Sequence, residues 1–153
     1  MINIRKAKKD KVEDLQELNN EVIIDNQKYD FDLDLGWAKS NQGNKYFIKL
    51  LNDPKICCLI AETNKIKVGY IVAAPKILAY RKSRLIEITN MGVRAKYRSM
   101  GIGTMLINEC LKWAKLQGFQ KAYVNSYLDN QMAIKFYKRS GFSEIDVSLE
   151  KNL

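Results

Sequence analysis

The stretch that organises this sequence is Arg98-Ser99-Met100-Gly101-Ile102-Gly103-Thr104, between an apolar run and a long amphipathic segment. Its glycines let the backbone approach a ligand closely and direct successive N–H groups outward. A helix predicted behind it adds the positive end of a dipole, so the turn suits a phosphate. It is neither a Walker loop nor a dinucleotide-binding turn, because the Gly-Lys-Ser/Thr ending and a third glycine are missing. Taken alone, the two glycines are explained better by ordinary turn chemistry.

A second informative segment lies near the end of the chain and is Asn130-Gln131-Met132-Ala133-Ile134-Lys135-Phe136-Tyr137-Lys138-Arg139-Ser140-Gly141-Phe142. Ala133, Phe136 and Tyr137 recur at helical spacing, and Asn130 stands where asparagine caps a helix well. Without further context, Tyr137 would be a half-buried core tyrosine with its hydroxyl at the surface.

Apolar periodicity predicts the remaining elements. Strands are expected over residues 2–7, 56–62, 67–74, 84–93, 122–127 and 143–149. Helices are expected over residues 10–25, 38–51, 101–117 and 130–140. Asp10 and Glu13 predict a capping box for the first helix, and the alternation of Ile145, Val147 and Leu149 predicts the last strand. The order β-α-α-β-β-β-α-β-α-β indicates the α/β class, an α+β mixed sheet with helices packed on it, formed as one domain over residues 1–153.

The two segments together closely resemble the GNAT superfamily of N-acetyltransferases. The resemblance rests on Arg-x-x-Gly-x-Gly after a strand, then a helix, a strand, and Asn-x-x-Ala-x-x-Phe-Tyr-x-x-x-Gly-Phe. The C-terminal part of the chain matches by motif, and the earlier elements match in order only. The resemblance implies a GNAT-like fold, acetyl-coenzyme A as co-substrate and an amine as acetyl acceptor, without indicating which amine.

The resemblance also implies roles by position. The residues that would hold the coenzyme A pyrophosphate through their backbone are Arg98, Ser99, Met100, Gly101, Ile102, Gly103 and Thr104. Met91 and Val93 would pair with the pantetheine arm, and the Met91 N–H would face the thioester carbonyl, where an oxyanion develops. Asn130 would hydrogen-bond the arm. Tyr137 would lie near the sulfur as a general acid.

The general base is a separate question, because the nucleophile is the acceptor amine itself. A primary amine resembling lysine has a pKa of roughly 10.4 and must lose a proton before it attacks. Glu87, on the strand that leads to Met91, is the first candidate to receive that proton. The alternative is that Glu87 is a cross-strand partner of a lysine or arginine, and both interpretations stay open.

Charge is unevenly distributed along the chain, whose net charge is +9. Residues 11–35 hold eight acids and two bases, whereas residues 36–153 hold 20 bases and eight acids. The loop after the first helix carries Asp30, Asp32 and Asp34 beside Tyr29 and Phe31, a composition that suits a cation. The resemblance implies that the region between the first two helices borders the acceptor site, so we expect a cationic acceptor such as a polyamine, an aminoglycoside-like amine or a basic peptide. A solvated acidic face is the alternative.

Other classes of chemistry are disfavoured by composition. The three cysteines have no metal-ligand spacing and the chain has no histidine, so we expect no metal and no Ser-His or Cys-His catalysis. Cys57, Cys58 and Cys110 are expected to be free thiols in the core. No apolar run approaches the roughly 20 residues that span a bilayer, and no signal peptide is recognisable, so we expect no membrane partner and a cytoplasmic location.

The sequence is compatible with two further functions beside acetylation of a small amine. One is acetylation of a protein N-terminus or lysine, which would need a wider acceptor groove. The other is a non-catalytic module that binds acetyl-coenzyme A or nucleic acid. The excess of basic residues over residues 36–153 is compatible with binding to nucleic acid. No recognised nucleic-acid-binding motif is present, so this partner is disfavoured. The sequence is compatible with a homodimer and does not indicate the oligomeric state.

Overall fold

The computed structural model describes residues 1–153. Its elements are β1 (Asn3–Lys6), α1 (Val12–Asn26), α2 (Asn41–Asn52), β2 (Cys57–Thr63), β3 (Ile66–Lys76), β4 (Leu85–Val93), α3 (Ile102–Leu116), β5 (Lys121–Val124) and α4 (Gln131–Arg139). The five strands form one mixed sheet in the order β1-β2-β3-β4-β5. All neighbours are antiparallel except β4 and β5, which are parallel. The fold class predicted from the sequence is confirmed.

Two hydrophobic clusters cover the two faces of the sheet. The cluster on the α3 face contains Cys57, Ala61, Val68, Ile71, Ala73, Ile86, Ile88, Ile102, Leu106, Ile107, Cys110 and Ala114. The cluster on the α1–α2 face contains Leu15, Leu18, Phe47, Leu50, Leu51, Ile60, Tyr70 and Val72. From Tyr70 to Ala73, successive residues of β3 alternate between the clusters because successive side chains of a strand point to opposite faces. Cys57, Cys58 and Cys110 are free thiols, as predicted, with Cys58 only half-buried.

A bulge in β4 reverses this alternation close to its end. Val72 of β3 pairs with Asn90, whereas the next residue, Ala73, pairs with Ile88, so Thr89 is the extra residue. Before the bulge Ile88 packs on the α3 face, and after it Met91 does so. An extra residue in one strand shifts the side-chain phase by one position. The bulge therefore turns Asn90 toward α1.

The contact between β4 and β5 ends early. Residues 85–88 of β4 pair with residues 121–124 of β5, and no further pairs follow. Residues 89–93 of β4 consequently have β3 on one side and no strand on the other. We call the space beside this free edge the gap between β4 and β5.

The starts of the first two helices differ from prediction. The N-cap of α1 is Lys11 with no side-chain hydrogen bond, so the Asp10–Glu13 capping box does not form. The second helix begins at Asn41, after a 3-10 turn, because the Ser40 hydroxyl oxygen accepts a hydrogen bond from the Gly43 N–H at 3.1 Å. A serine cap of this kind satisfies a backbone donor that has no partner inside the helix.

The predicted final strand over residues 143–149 is absent. Ile145 is 63% exposed and Leu149 is 91% exposed, and no backbone hydrogen bond involves this segment. The segment contacts the sheet through side chains, including the Tyr123 hydroxyl and the Asp146 carboxylate at 3.5 Å. Alternation describes the side chains of a strand, but a strand also needs a neighbour with which to form a hydrogen-bond ladder.

Gly43 provides a test of how the loop before α2 packs. A Cβ there would lie 2.6 Å from the Ala38 carbonyl oxygen and closer still to that of Trp37. We expect Gly43→Ala to lower the free energy of unfolding by about 1–3 kcal/mol through overpacking. This loss exceeds the roughly 0.5–1 kcal/mol that alanine gains over glycine inside a helix. Urea denaturation measures the net change in the free energy of unfolding, which combines the overpacking loss and the gain of alanine over glycine.

Gly36→Ala is the matched control, because its Cβ would meet only the Asp34 carboxylate at 3.5 Å. The backbone of Gly36 is already in the right-handed region. We expect a change within about 0.5 kcal/mol. Equal stability of the two variants would contradict the packing argument.

Candidate active site

A run of unpaired backbone donors lies at the start of α3. The six N–H groups from Ser99 to Thr104 donate no hydrogen bond, and the first paired donor is Met105, bonded to Gly101 at 3.0 Å. No side chain caps this helix. Successive free N–H groups at a helix N-terminus form an anion-binding concavity. The run begins at Ser99 because the Arg98 N–H is already bonded to the Ala95 oxygen at 3.3 Å.

Backbone conformation opens this turn toward solvent. Ser99 and Gly101 have φ values of 61° and 77°, both in the left-handed region. A Cβ at Gly101 would meet nothing within 4 Å, so this side of the turn is open to a ligand. Gly103 faces inward instead, where a Cβ would lie 3.0 Å from the Phe136 ring. One glycine therefore exposes the turn and the other seats α3 against α4.

The Arg98 side chain folds back onto the end of β4. Its Nε donates to the Val93 carbonyl oxygen at 2.8 Å, and its Nη2 pairs with the Asp25 carboxylate at the end of α1. We call residues 99–104 the donor turn. Arg98, which directly precedes it, therefore links this turn to both β4 and α1.

The free edge of β4 presents backbone groups to the gap. The Arg94 N–H donates to the Val68 oxygen at 2.8 Å, which sets the phase of the β3–β4 ladder. Pairs in an antiparallel ladder alternate between bonded and non-bonded, so the N–H and C=O of Met91 and Val93 point away from β3. They face the gap on the side of the sheet where β5 has parted.

Tyr137 lies in α4, and Asn130 is the N-cap of that helix. The Tyr137 ring packs between Phe136 and Phe142, with centroid distances of 5.3 and 5.7 Å. Burial raises the pKa of Tyr137 to about 12, and its hydroxyl has no partner in the chain, so it is a protonated donor at neutral pH. The Asn130 Oδ1 accepts from the Ala133 N–H at 3.1 Å, so only its Nδ2 is available to a ligand.

Glu87 has the cross-strand partner that the sequence left open. The Lys76 Nζ donates to its carboxylate at 2.7 Å, and the same Nζ lies 4.4 Å from the centroid of the Tyr123 ring. The hydrogen bond to Glu87 raises the pKa of Lys76. Sequence reasoning missed Lys76, which lies in a different strand. The pairing neither requires nor prevents a role for Glu87 in proton transfer.

We call residues 30–34, which carry the three aspartates, the acidic loop. It contacts the segment that follows β5. The Tyr127 hydroxyl donates to Asp30 at 2.9 Å, and the Tyr29 and Tyr127 rings stack at 5.9 Å. Burial, with the Asp30 hydrogen bond as a smaller cause, raises the pKa of Tyr127 to about 12. Asp30 thus lies beside the segment that follows β5, at the end of the sheet where the gap opens. This juxtaposition was not visible in the sequence, because Tyr127 is far along the chain.

The three carboxylates differ in their freedom. Asp30 also accepts from the Asp32 N–H at 3.0 Å, and Asp34 accepts from the Gly36 N–H at 2.9 Å. Both therefore also shape the loop, as aspartates in turns commonly do. The Asp32 carboxylate is exposed and has no partner.

Six basic residues lie close in sequence to the end of β4 or in α4, and three of them are neutralised within the chain. Arg94 lies between Glu17 and Glu21, at 3.6 and 3.4 Å. Arg98 and Lys138 pair with Asp25 and Glu144. Those that have no acidic partner are Lys96, Lys135 and Arg139. The charge available to an anion is therefore smaller than the composition suggests.

Comparison with known proteins agrees with this geometry. A family model described as Acetyltransferase (GNAT) family matches residues 14–142. The chain belongs to this family. The match includes the donor turn, the free edge of β4 and α4, and it confirms the family predicted from the sequence.

Curated relatives of the chain are also named as N-acetyltransferases. An uncharacterized N-acetyltransferase of Methanocaldococcus jannaschii is 30% identical over 145 residues, which cover 94% of this chain and 62% of the relative. N-alpha-acetyltransferase 50 of Danio rerio is 31% identical over 88 residues, 57% of this chain and 51% of the relative. The chain thus spans between half and two thirds of the length of these relatives.

Solved structures share the fold over nearly the whole chain. The BH1408 protein of Bacillus halodurans superposes with a TM-score of 0.84 at 18% identity, covering 99% of both chains. An aminoglycoside 6'-N-acetyltransferase of Acinetobacter baumannii superposes with a TM-score of 0.75 at 19% identity, covering 100% of this chain and 99% of the other. At such identities the likeness concerns the fold. No helix of this chain combines the length and apolar character needed to cross a membrane.

The raised pKa of Tyr137 predicts how stability changes at high pH. A tyrosine whose pKa is about 12 when folded and about 10 when unfolded stabilises the fold below pH 10, and this contribution is lost as pH rises from about 10 to 12. We expect Tyr137→Phe to make the unfolding free energy fall less steeply over this range. Urea denaturation at half-unit pH steps measures the slope.

Tyr80→Phe is the control, because it removes a hydroxyl from an exposed position. A Tyr137→Phe slope equal to that of the wild type would show that the Tyr137 hydroxyl is not buried in the fold.

Proposed function

We propose that this protein transfers an acetyl group from acetyl-coenzyme A to a primary amine. The observation that carries the proposal is the run of six unpaired N–H groups over residues 99–104, beside the free β4 edge at Met91 and Val93. A ligand that fits both features has a phosphate group and an amide-rich extended arm. Membership of the acetyltransferase family supports the same co-substrate, and one solved structure of similar fold is an aminoglycoside N-acetyltransferase in complex with CoA.

The donor turn would bind the pyrophosphate of acetyl-coenzyme A. Each N–H of residues 99–104 is free to donate to a phosphate oxygen, and the α3 dipole adds a favourable field. Lys96, Lys135 and Arg139 have no acidic partner and would supply the neighbouring positive charge. Ionic hydrogen bonds of this kind are the stronger ones in proteins.

The free edge of β4 would bind the arm and orient the thioester. Backbone groups of Met91 and Val93 would pair with the arm as an added strand, a known mode of recognition at sheet edges. The Val93 oxygen already accepts from Arg98, but a carbonyl has two lone pairs. The Asn130 Nδ2 would donate to the arm. This arrangement would leave the Met91 N–H facing the thioester carbonyl.

The chemistry needs two changes of bonding. The amine nitrogen attacks the carbonyl carbon, a C–N bond forms and the C–S bond breaks. The Met91 N–H would stabilise the negative charge that develops on the carbonyl oxygen. The Tyr137 hydroxyl would donate to the departing sulfur, which leaves as the thiol. The amine proton would pass to Glu87 directly or through water, and the Lys76 ion pair would fix this carboxylate in place.

The acceptor would enter beside the acidic loop, and we propose that it carries more than one positive charge. The support is the placement of Asp30 near the end of β5 through its hydrogen bond with Tyr127, with Asp32 and Asp34 following in the same loop. A similar fold occurs in an aminoglycoside acetyltransferase solved with sisomicin, which points to the same chemical class. A polyamine is an equally suitable acceptor by charge.

A second candidate is the α-amine of a protein. The observation in its favour is the relative named N-alpha-acetyltransferase 50, and the exposed Phe31 and Leu128 side chains beside the acidic loop would suit a peptide. A basic peptide in the assay distinguishes this candidate from a small polyamine.

The proposed function predicts turnover that depends on Tyr137. Thiol release from acetyl-coenzyme A would be followed with spermidine, an aminoglycoside, a basic peptide, a neutral amino acid and no acceptor. We expect turnover with a cationic acceptor and a loss of roughly 10²–10⁴ in kcat for Tyr137→Phe, the usual size of a general-acid contribution. The Kd for coenzyme A should stay within about twofold, because the hydroxyl acts on the sulfur.

The control for this variant is Tyr80→Phe at its exposed position. An unchanged kcat in Tyr137→Phe would remove Tyr137 from the mechanism. Absence of coenzyme A binding by the wild type would overturn the proposed function itself. Binding without turnover of any acceptor would favour the non-catalytic module.

A separate measurement tests the cationic acceptor. The triple variant Asp30→Asn, Asp32→Asn and Asp34→Asn removes charge but keeps an oxygen that can accept the loop hydrogen bonds. We expect KM for the cationic acceptor to rise roughly tenfold, about 1.4 kcal/mol, with the Kd for acetyl-coenzyme A unchanged. The rise should shrink in high salt, since exposed charges are screened.

Asp53→Asn is the matched control, because Asp53 accepts a similar turn hydrogen bond from the Lys55 N–H at 2.9 Å, away from the loop. If KM for the cation does not change in the triple variant, the acidic loop does not select the acceptor.

A further inference from the structure

A chain of buried polar side chains runs from α1 to β4. The Asn19 Nδ2 donates to the Tyr70 hydroxyl at 2.9 Å, and that hydroxyl donates to the Asn90 Oδ1. Asn19 is 1% exposed and Tyr70 is 0% exposed. Burial raises the pKa of Tyr70, so its hydroxyl stays protonated. We call these three residues the polar chain.

Stability alone does not account for the polar chain. Its surroundings are apolar, including Leu18 and Val72 of the same cluster. Buried polar groups cost free energy unless they are fully bonded, and the Asn19 Oδ1 has no partner. Apolar side chains of similar volume would fill this space without that cost. What a directional network adds is one specific geometry.

The geometry that the polar chain fixes is that of β4 just past its bulge. Asn90 follows the extra residue, Thr89, and directly precedes Met91. A bulge locally disrupts the hydrogen-bond ladder, so the ladder restrains the neighbouring backbone less firmly. The hydrogen bond from Tyr70 holds the Asn90 side chain on the α1 face, and the Asn90 carbonyl belongs to the peptide unit that carries the Met91 N–H.

Gly92 is held on the other side of Met91. A Cβ at Gly92 would lie inside the Val22 side chain of α1 and 3.4 Å from the Tyr70 ring. The backbone of Gly92 is therefore in close contact with α1. Met91 lies between two neighbours that are both fixed against the α1 face, one by a hydrogen bond and one by close packing.

We propose that Tyr70, acting with Asn19 through Asn90, is a positioning residue that aims the Met91 N–H at the acyl carbonyl. This inference rests on the proposed function and adds residues that never touch the substrate. A preorganised donor stabilises the oxyanion because it needs no reorientation during the reaction. Supporting hydrogen bonds are what keep such a donor within about 0.5 Å of the productive geometry.

The test compares two ligands that differ only in the acetyl group. The Kd values for acetyl-coenzyme A and coenzyme A are measured by calorimetry, and their ratio reports contacts to the acetyl carbonyl. In the wild type we expect acetyl-coenzyme A to bind several-fold more tightly. In Tyr70→Phe we expect the ratio to fall toward one, with the Kd for coenzyme A within about twofold. We expect kcat to fall roughly tenfold to a hundredfold, below the 10²–10³ lost when an oxyanion donor is removed.

A purely structural role predicts a different pattern. Ile60→Val, fully buried in the same cluster and opposite Tyr70 in the β2–β3 ladder, removes one methylene but no hydrogen bond of the polar chain. It should lower the melting temperature but leave the ligand ratio and kcat as in the wild type. If Ile60→Val lowers the ratio as much as Tyr70→Phe does, or if Tyr70→Phe leaves the ratio unchanged, the positioning role is overturned.

Asn90→Ala gives a second route should Tyr70→Phe fail to fold, because Asn90 is only half-buried. It should lower the ligand ratio as Tyr70→Phe does. Since Tyr70 acts through Asn90, the double variant should lose no more kcat than the worse single variant. Additive losses would overturn the proposal. If the wild type binds neither ligand, the proposed function fails and this inference fails with it.

Discussion

The parting of β4 from β5 after Ile88 is the constraint on which the rest of the site depends. Backbone N–H and C=O groups of a sheet are normally paired, and a free edge is a template for another extended chain. Here residues 90–93 of the free edge are half-buried, and the Arg98 side chain ties Val93 to the start of the α3 turn. The bulge at Thr89 falls where β5 leaves. It turns the Asn90 side chain toward α1 and the Met91 side chain toward α3.

The ion pairs between α1 and the segment after β4 position these elements more than they stabilise the fold. The acids of α1 pair with basic residues that follow β4, through Glu17 and Glu21 to Arg94 and through Asp25 to Arg98. Exposed ion pairs of this kind contribute only about 0–1 kcal/mol each. Their effect is to hold α1 over the end of β4 and to bring the donor turn beside it. The uneven charge of the sequence is thus partly satisfied within the fold, and the remainder is left for ligands.

The two sides of the gap have different chemistry. On the side of α3 and α4 are free N–H groups, unpaired lysines and the protonated Tyr137 hydroxyl, all of which are donors to an anion or a departing sulfur. At the end of β5 is the acidic loop, held by the Asp30–Tyr127 hydrogen bond. An anionic donor substrate and a cationic acceptor would therefore meet from opposite sides. Met91 would be the point of contact, because its backbone faces the gap.

Local pattern determined much of this protein. Periodicity predicted the helices and the first five strands, and the Arg-x-x-Gly-x-Gly turn with the Asn130–Phe142 segment indicated the family, because glycine spacing and helical phase are properties of neighbouring residues. Tertiary structure alone decided the bulge at Thr89, the buried Asn19–Tyr70–Asn90 chain and the partners of Glu87 and Asp30. It also left residues 143–149 without a strand, although their alternation is typical of one. Each of these depends on which distant groups come into hydrogen-bonding reach, and that is set by the packing of the whole chain.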